Sequence, residues 1–397
     1  MARANLELNL ILAVLVQDQQ LAAQISINPQ LNWELVYKLV LRHRVWHQLY
    51  ASLNNSAGLN PPWTAVPQRN ALPTYTKLRE FCYNDKLYLL RTAAETVRIA
   101  REFNSKQLLH CFIKGIALNV HIYHDLTSRP CRDIDLWVAP HDYQLAAELL
   151  LELGYQQHLP SYPLGGFKAA YYFKHKHDIA FYHPRHKILV ELHFRLSYFG
   201  INFFPLSAEL LQPLIILNTP VATLKDDYHL LYLMLHGAIH AWSRLRWLND
   251  IALYLQAEKC NLQQVYALAE QLKAPHIVVQ ALILVAELLK CAVTQPAAIT
   301  ATPIIQKHGK QLAAIAQQFI QTDYDVNAGH GAFHKLFFVY RYYLAKLAVK
   351  GQKFNALAGD LIKIDMLFPY LTLPKRLSIF YYLLYPLWVI KYLIQAK

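Results

Sequence analysis

The sequence predicts an α+β fold, a small mixed sheet flanked by large N- and C-terminal helical regions. Glycine is scarce, 12 of 397 residues, while Leu- and Ala-rich stretches dominate, the signature of a mostly helical chain. Hydrophobic residues make up 55%, enough for a large core. Only between about 106 and 200 does the pattern change to short β-like runs alternating with helices. The chain exceeds the usual domain of about 100 to 200 residues, and it divides into a helical region over 1–105, a mixed module over 106–200 and a helical region over 201–397 with a basic, aromatic tail.

In the first region Leu31, Leu35, Leu39 and Val40 recur at helical spacing, a Gly/Pro/Asn loop runs from Asn54 to Pro67, and a longer helix ends near Asn104. Its charges, among them Lys77, Arg79, Asp85, Arg91, Glu95 and Arg98, alternate with Leu, Phe and Tyr and read as a solvated face. The apolar run Leu8 to Val16 has the outline of a signal peptide. Glu7 and Asn9 interrupt it, no small-residue cleavage site follows, and Leu10, Val14 and Leu21 continue at helical spacing, so it reads as a first helix.

In the mixed module a strand over Leu108 to Ile113 precedes a helix over Gly115 to His124. The strand carrying Asp133-Ile134-Asp135 follows, then a helix over His141 to Leu153 with Gly154 as its C-cap, then a hairpin of Ile179 to Tyr182 and Ile188 to His193. From 201 onward the pattern returns to helices. The C-terminal run Leu377 to Ile390 is uncharged, but it is shorter than the about 20 residues of a spanning helix and contains Pro386.

The formal charge of +13 and a pI near 9.3 imply attraction to anions without choosing among nucleotide, nucleic acid and lipid headgroup. The five cysteines are odd in number and never form a Cys-x-x-Cys pair, which points away from a disulfide frame or zinc knuckle and toward a reducing, cytoplasmic setting. In the tail, cations such as Lys346, Lys375 and Arg376 interleave with aromatic residues. That pattern reads as a solvated face or as peripheral contact with an anionic membrane, and Leu377 to Ile394 is too apolar for a nucleic-acid groove.

Asp133 and Asp135 lie two apart in a short apolar run, so on a strand both carboxylates share a face, as a divalent metal requires. Lys114-Gly115 at the preceding turn offers an ammonium and backbone N–H groups to phosphate. Glu191 stands in a second apolar strand, where an acid needs a metal, proton or cation as partner, and His193 shares its face. Three acids on neighbouring strands would hold two Mg²⁺ ions, the arrangement of phosphoryl and nucleotidyl transfer. The bland reading is a structural acid pair capping Arg129 or Arg132. His236 and His240 share a helix face, but Gly237 stands where a zinc protease needs Glu, which favours packing.

Lys114-Gly115, Arg129 with Arg132-Asp133-Ile134-Asp135-Leu136, Val190-Glu191-Leu192-His193, His236-Gly237-Ala238-Ile239-His240 and Leu245 to Asp250, in that order, resemble the family of uncharacterised bacterial nucleotidyltransferases, related to the DNA polymerase β-like superfamily. The resemblance runs from about residue 10 to 290. It implies a nucleotidyltransferase core in which Asp133 and Asp135 are the paired metal-binding acids and Glu191 is the third acid, at a place where the family more often has aspartate. The superfamily usually shows Gly-Ser or Gly-Gly at the first turn; Lys114 takes that part here. Nucleotide binding is assigned to Lys114, Gly115, Arg132 and His193, the metal is Mg²⁺, and the partners are a nucleoside triphosphate and a hydroxyl-bearing acceptor. The alternative is a catalytically inactive relative docking to a membrane surface or a biosynthetic complex.

Overall fold

The computed structural model describes residues 6–55, 71–198, 201–291, 302–321, 333–347 and 363–395. The chain opens with α1 (Leu6–Leu15), α2 (Gln19–Ser26), α3 (Trp33–His43) and α4 (Trp46–Asn55). The second and third of these start at side-chain caps, Asp18 accepting from the Leu21 N–H and Asn32 from that of Leu35. Most of the loop expected over Asn54 to Pro67 lies outside the described residues. Helix α5 (Ala71–Ser105) then spans 35 residues, about 50 Å at 1.5 Å per residue.

The mixed module holds β1 (His110–Phe112), α6 (Gly115–Leu118), β2 (Asp133–Val138), α7 (Tyr143–Glu152), β3 (Gln156–Leu159), α8 (Gly166–His175), β4 (Asp178–His183) and β5 (Ile188–His193). Its five strands lie in the order β1-β2-β5-β4-β3; β2 and β5 are parallel and the other neighbours antiparallel. Alternation along β2 divides its side chains between two cores. Ile134, Leu136 and Val138 join Val190 and Leu192 of β5 in a core with α5 and α7, whereas Trp137 joins the core built by α1 to α4 and the later helices. Helix α5 belongs to both, with Leu78 and Cys82 in one core and Leu89 to Phe103 in the other.

The expected helix over 115–124 is only one α turn, α6, followed by a π turn over Asn119–Tyr123. Asn119 is fully buried, and its amide donates to the carbonyls of Leu126 and Arg129, both at 2.9 Å, which draws the chain out of the helix. After a short β6 (Ser197–Tyr198) and β7 (Ile201–Asn202), the expected return to helices is delayed by a hairpin, β8 (Leu211–Ile216) and β9 (Thr219–Leu224). Its two-residue turn, Leu217-Asn218, takes positive φ at both positions (46° and 59°), which matches the twist of a tight hairpin. The hairpin leans on the sheet edge, Thr223 Oγ1 donating to the Phe112 carbonyl.

Among the described residues, the α-helices that follow are α9 (Asp226–Ile239), α10 (Leu245–Gln256), α11 (Leu262–Gln271), α12 (Pro275–Leu289), α13 (Pro303–Gln321), α14 (Phe333–Leu347) and α15 (Ile379–Gln395). Among the described residues, no helix is long and apolar enough to cross a membrane. The His236-Gly237-x-x-His240 pattern is a packing device: a Cβ on Gly237 would sit 2.3 Å from the Trp242 ring, and the His240 ring stacks on Trp247 with centroids 5.0 Å apart.

Two of the charges expected on a solvated α5 face are buried instead. Asp85 accepts from His47 Nε2 (2.8 Å) and Trp46 Nε1 (3.0 Å), and Glu95 accepts from Arg98, from the Tyr155 hydroxyl (2.7 Å) and from His186 Nδ1 (3.0 Å). The sheet module and the later helices are joined by an ion pair with no access to water: Arg129 Nε and Nη2 donate to Asp250 at 2.7 and 2.8 Å, and Tyr123 donates to the same carboxylate at 2.7 Å.

Removing one partner of that pair leaves a buried charge exposed to nothing that can solvate it. Asp250→Ala should therefore cost about 3 to 5 kcal/mol in urea unfolding, and the double change Arg129→Met, Asp250→Leu should cost less than the single one. Glu95 supplies a pH signature. Burial alone would raise its pKa, but Arg98 and Tyr155 outweigh burial and hold it below the usual carboxylate range. A lowered folded pKa means stability present above the unfolded value of about 4.3 and lost as pH falls through the folded one. Glu95→Gln should thus melt below the wild type at neutral pH, with the gap closing under acid; an unchanged gap at low pH would remove the assignment.

Candidate functional site

Beta pairing, rather than proximity in sequence, assembles the acids. In the parallel register of β2 and β5, Asp135 stands opposite Glu191 and Trp137 opposite His193, so Asp133, Asp135, Glu191 and His193 share one face of the sheet. That face looks toward α9 and α10. On the other side of β2, the antiparallel register with β1 continues past the strand, the Ile113 N–H donating to the Asp135 carbonyl at 3.2 Å, which brings Lys114 level with the acids. Lys114 Nζ then reaches Asp135 Oδ1 at 2.8 Å.

Gly115 is needed at this turn. Its φ is +60°, a conformation that L side chains rarely adopt, and an added Cβ would lie 3.4 Å from the Asp133 carbonyl. Helix α9 secures the strand end: His229 Nε2 donates to the Ile113 carbonyl at 2.8 Å while its Nδ1 accepts from the Tyr254 hydroxyl. Burial pushes the His229 pKa down to about 4, which keeps it neutral, as one donor and one acceptor nitrogen require.

The electrostatics separate the three acids. Asp135 is 2% exposed, and burial alone would raise its pKa; Lys114 and His193, whose Nε2 lies 3.3 Å from Oδ1, outweigh that and hold it below the ordinary carboxylate range. Asp133, half-buried, is raised by burial and by the Asp135 charge, with Lys114, Arg246 and Arg44 pulling the other way. Glu191, at the more open side, is pushed up to about 8 by burial and by both aspartates. His193 is raised: burial would lower it, but Asp135, Asp178 and Glu191 surround it with negative charge. The face thus keeps one firmly ionised carboxylate, compensated by an ammonium and an imidazole.

Ligand atoms of Asp135, Glu191 and His193 all lie within 4.8 Å of one another, and those of His177, Asp178 and His193 form an adjoining group. Asp133 falls outside both groups, on the same strand face one repeat away. Arg132, by contrast, turns to α5: its Nη1 pairs with Asp85 at 2.9 Å, and its guanidinium packs 5.5 Å from the Trp46 ring and 5.7 Å from Tyr88. Lys168, on α8, donates to the Phe368 carbonyl and the Thr372 hydroxyl of the C-terminal segment.

Two arginines come from far along the chain, Arg246, which the sequence offers as a weaker candidate for phosphate contact, and Arg44, which it does not place in the site. Arg44, beyond the end of α3, and Arg246, on α10, both bear on Asp133; Arg246 is buried, and its Nη1 donates to the Pro130 carbonyl at 2.7 Å. The basic run Arg42-His43-Arg44 at a helix end was the only sequence signal for the first of these.

No curated protein matches the chain. Among solved structures, an antigenic nucleotidyltransferase-like protein from Paracoccidioides brasiliensis is similar at 16% identity and a TM-score of 0.32, over 53% of this chain and 96% of its own. A family model described as "uncharacterised nucleotidyltransferase" matches residues 29–290, a span that holds β1 to β5 and every acid of the cluster, and the chain belongs to that family.

Proposed function

We propose that the protein is a Mg²⁺-dependent nucleotidyltransferase that moves a nucleoside monophosphate from a nucleoside triphosphate to a hydroxyl-bearing acceptor and releases pyrophosphate. The observation that carries this reading is the register pairing of Asp135 with Glu191, with Asp133 on the same face and Lys114 at 2.8 Å from Asp135. Burying Asp135 beside a second acid is costly, and a fold kept only for docking has no use for it.

The donor set fits a hard divalent cation. Its carboxylate oxygens are what Mg²⁺ prefers, and the ammonium drawn onto Asp135 shows that this carboxylate already attracts a cation. Asp135 and Glu191, whose ligand atoms already lie together, would hold the metal with Asp133 approaching from the next repeat of the same strand face, and when bound it would neutralise the phosphates and position them for in-line displacement.

The chain's own groups do the rest. Lys114, freed from Asp135, binds the triphosphate together with backbone N–H groups at the Gly115 turn, and Arg246 and Arg44 add positive charge along the same side. The acceptor oxygen forms its bond to the α-phosphorus as the bond to the bridging β-phosphate oxygen breaks. Glu191, at the open side of the cluster, takes the acceptor's proton once it has itself ionised. His193 holds Asp135 in place through Nε2.

The first test is equilibrium binding of labelled ATP, GTP, CTP and UTP, with and without Mg²⁺, to the wild type and to Asp133→Ala, Asp135→Ala. Mg²⁺-dependent binding that disappears in the double variant is expected and would name the donor; a wild type that binds none of the four at millimolar concentration would sink the reading. Lys114→Ala should split the two ligands. Loss of a charge-assisted phosphate contact predicts nucleotide binding weaker by about tenfold or more, whereas Mg²⁺ alone should bind more tightly once the competing ammonium is gone. Unchanged affinity for both would exclude Lys114 from the site.

A further inference from the structure

Helix α15 presents two faces of different fate. Tyr381 is fully buried: its ring stacks on Phe167 of α8 with centroids 5.7 Å apart, and its hydroxyl accepts from the Leu373 N–H at 2.9 Å and donates to the Leu371 carbonyl at 3.0 Å. Tyr385 and Trp388 continue this packed side at i+4 and i+7. The helix is therefore held on the sheet module, a hold reinforced by the Lys168 bonds and by the Lys176–Asp365 ion pair at 2.7 Å.

The opposite side is apolar and open. Ile379 (59% exposed), Phe380 (44%), Leu383 (61%), Leu384 (37%) and Leu387 (64%) follow the i, i+1, i+4, i+5, i+8 pattern of one continuous stripe. From Leu377 to Ile390 the sequence carries no charge. Immediately before it, Lys375 and Arg376 are both exposed in a short 3₁₀ turn, and Tyr370, 77% exposed, lies beside Trp388.

We propose that this face docks the protein onto an anionic membrane surface, with Ile379, Phe380, Leu383, Leu384 and Leu387 entering the acyl boundary and Lys375 and Arg376 meeting the headgroup phosphates. A stripe of aliphatic side chains without hydrogen-bonding groups, preceded by exposed cations and bordered by Tyr and Trp, has the chemistry of an interfacial helix, and the net charge of +13 complements an anionic bilayer. The helix lies on the bilayer and does not span it. Its Tyr381 side is enclosed by protein, and the uncharged run is shorter than the about 20 residues a span needs.

The test is flotation of the full chain with vesicles of phosphatidylcholine alone or mixed with phosphatidylglycerol. The wild type should float with the anionic vesicles and much less with the neutral ones. Leu383→Glu, Leu387→Glu should remain unbound, and Lys375→Glu, Arg376→Glu should bind at least about tenfold more weakly. The altered side chains are exposed, and circular dichroism melts confirm that each variant is folded. A wild type that does not float, or a Leu383→Glu, Leu387→Glu variant that floats as well as the wild type, overturns the proposal. So does light scattering that shows a wild-type dimer dissociated by the same two changes without vesicle binding, since the face would then belong to a second copy of the chain.

Discussion

The buried contact between Arg129 and Asp250 is the constraint from which the arrangement of the acids follows. Both side chains are closed to water, so neither can leave the pair without an uncompensated charge. Arg129 lies four residues before Asp133, and its carbonyl also accepts from the buried Asn119 amide. Arg246, one turn before Asp250 on α10, donates to the Pro130 carbonyl next in line. The loop that leads into β2 is therefore tied at successive residues to the α6 region and to α10, and Asp133 and Asp135 emerge at a set height against the later helices.

A site of this composition cannot be stable as three bare anions. The structure distributes the charge: Asp135 stays ionised beside Lys114 and His193, while Glu191, farther from the cations, is raised far enough to retain its proton near neutrality. The same economy explains α5, where Asp85 and Glu95 are buried but each is surrounded by donors from other elements.

Most of the element order was legible because period and composition change sharply near residues 106 and 200. The β2 acids, the β4–β5 hairpin and the long helix before the module follow from local pattern alone. The departures have local causes of a kind that periodicity does not register. The helix after Gly115 is cut short by a buried asparagine that bonds forward into a loop. The β8–β9 hairpin hides in an apolar stretch because its turn rests on Leu217-Asn218, without the glycine that usually marks such a turn.

By itself the sequence determined which residues are acids on a strand face, that Asp133 and Asp135 share that face, and that Lys114-Gly115 forms a turn, since these depend on spacing and on the conformational freedom of glycine. Tertiary structure alone decided which cations meet them. Lys114 ends on Asp135 through strand pairing, Arg246 and Arg44, far away in the chain, add positive charge that bears on Asp133, and Arg132, the immediate neighbour of Asp133, is turned away to Asp85. Side chains on a strand alternate sides, so adjacency in sequence separates two residues in space, whereas the partners of a buried charge are chosen by whichever elements the cores bring against that face.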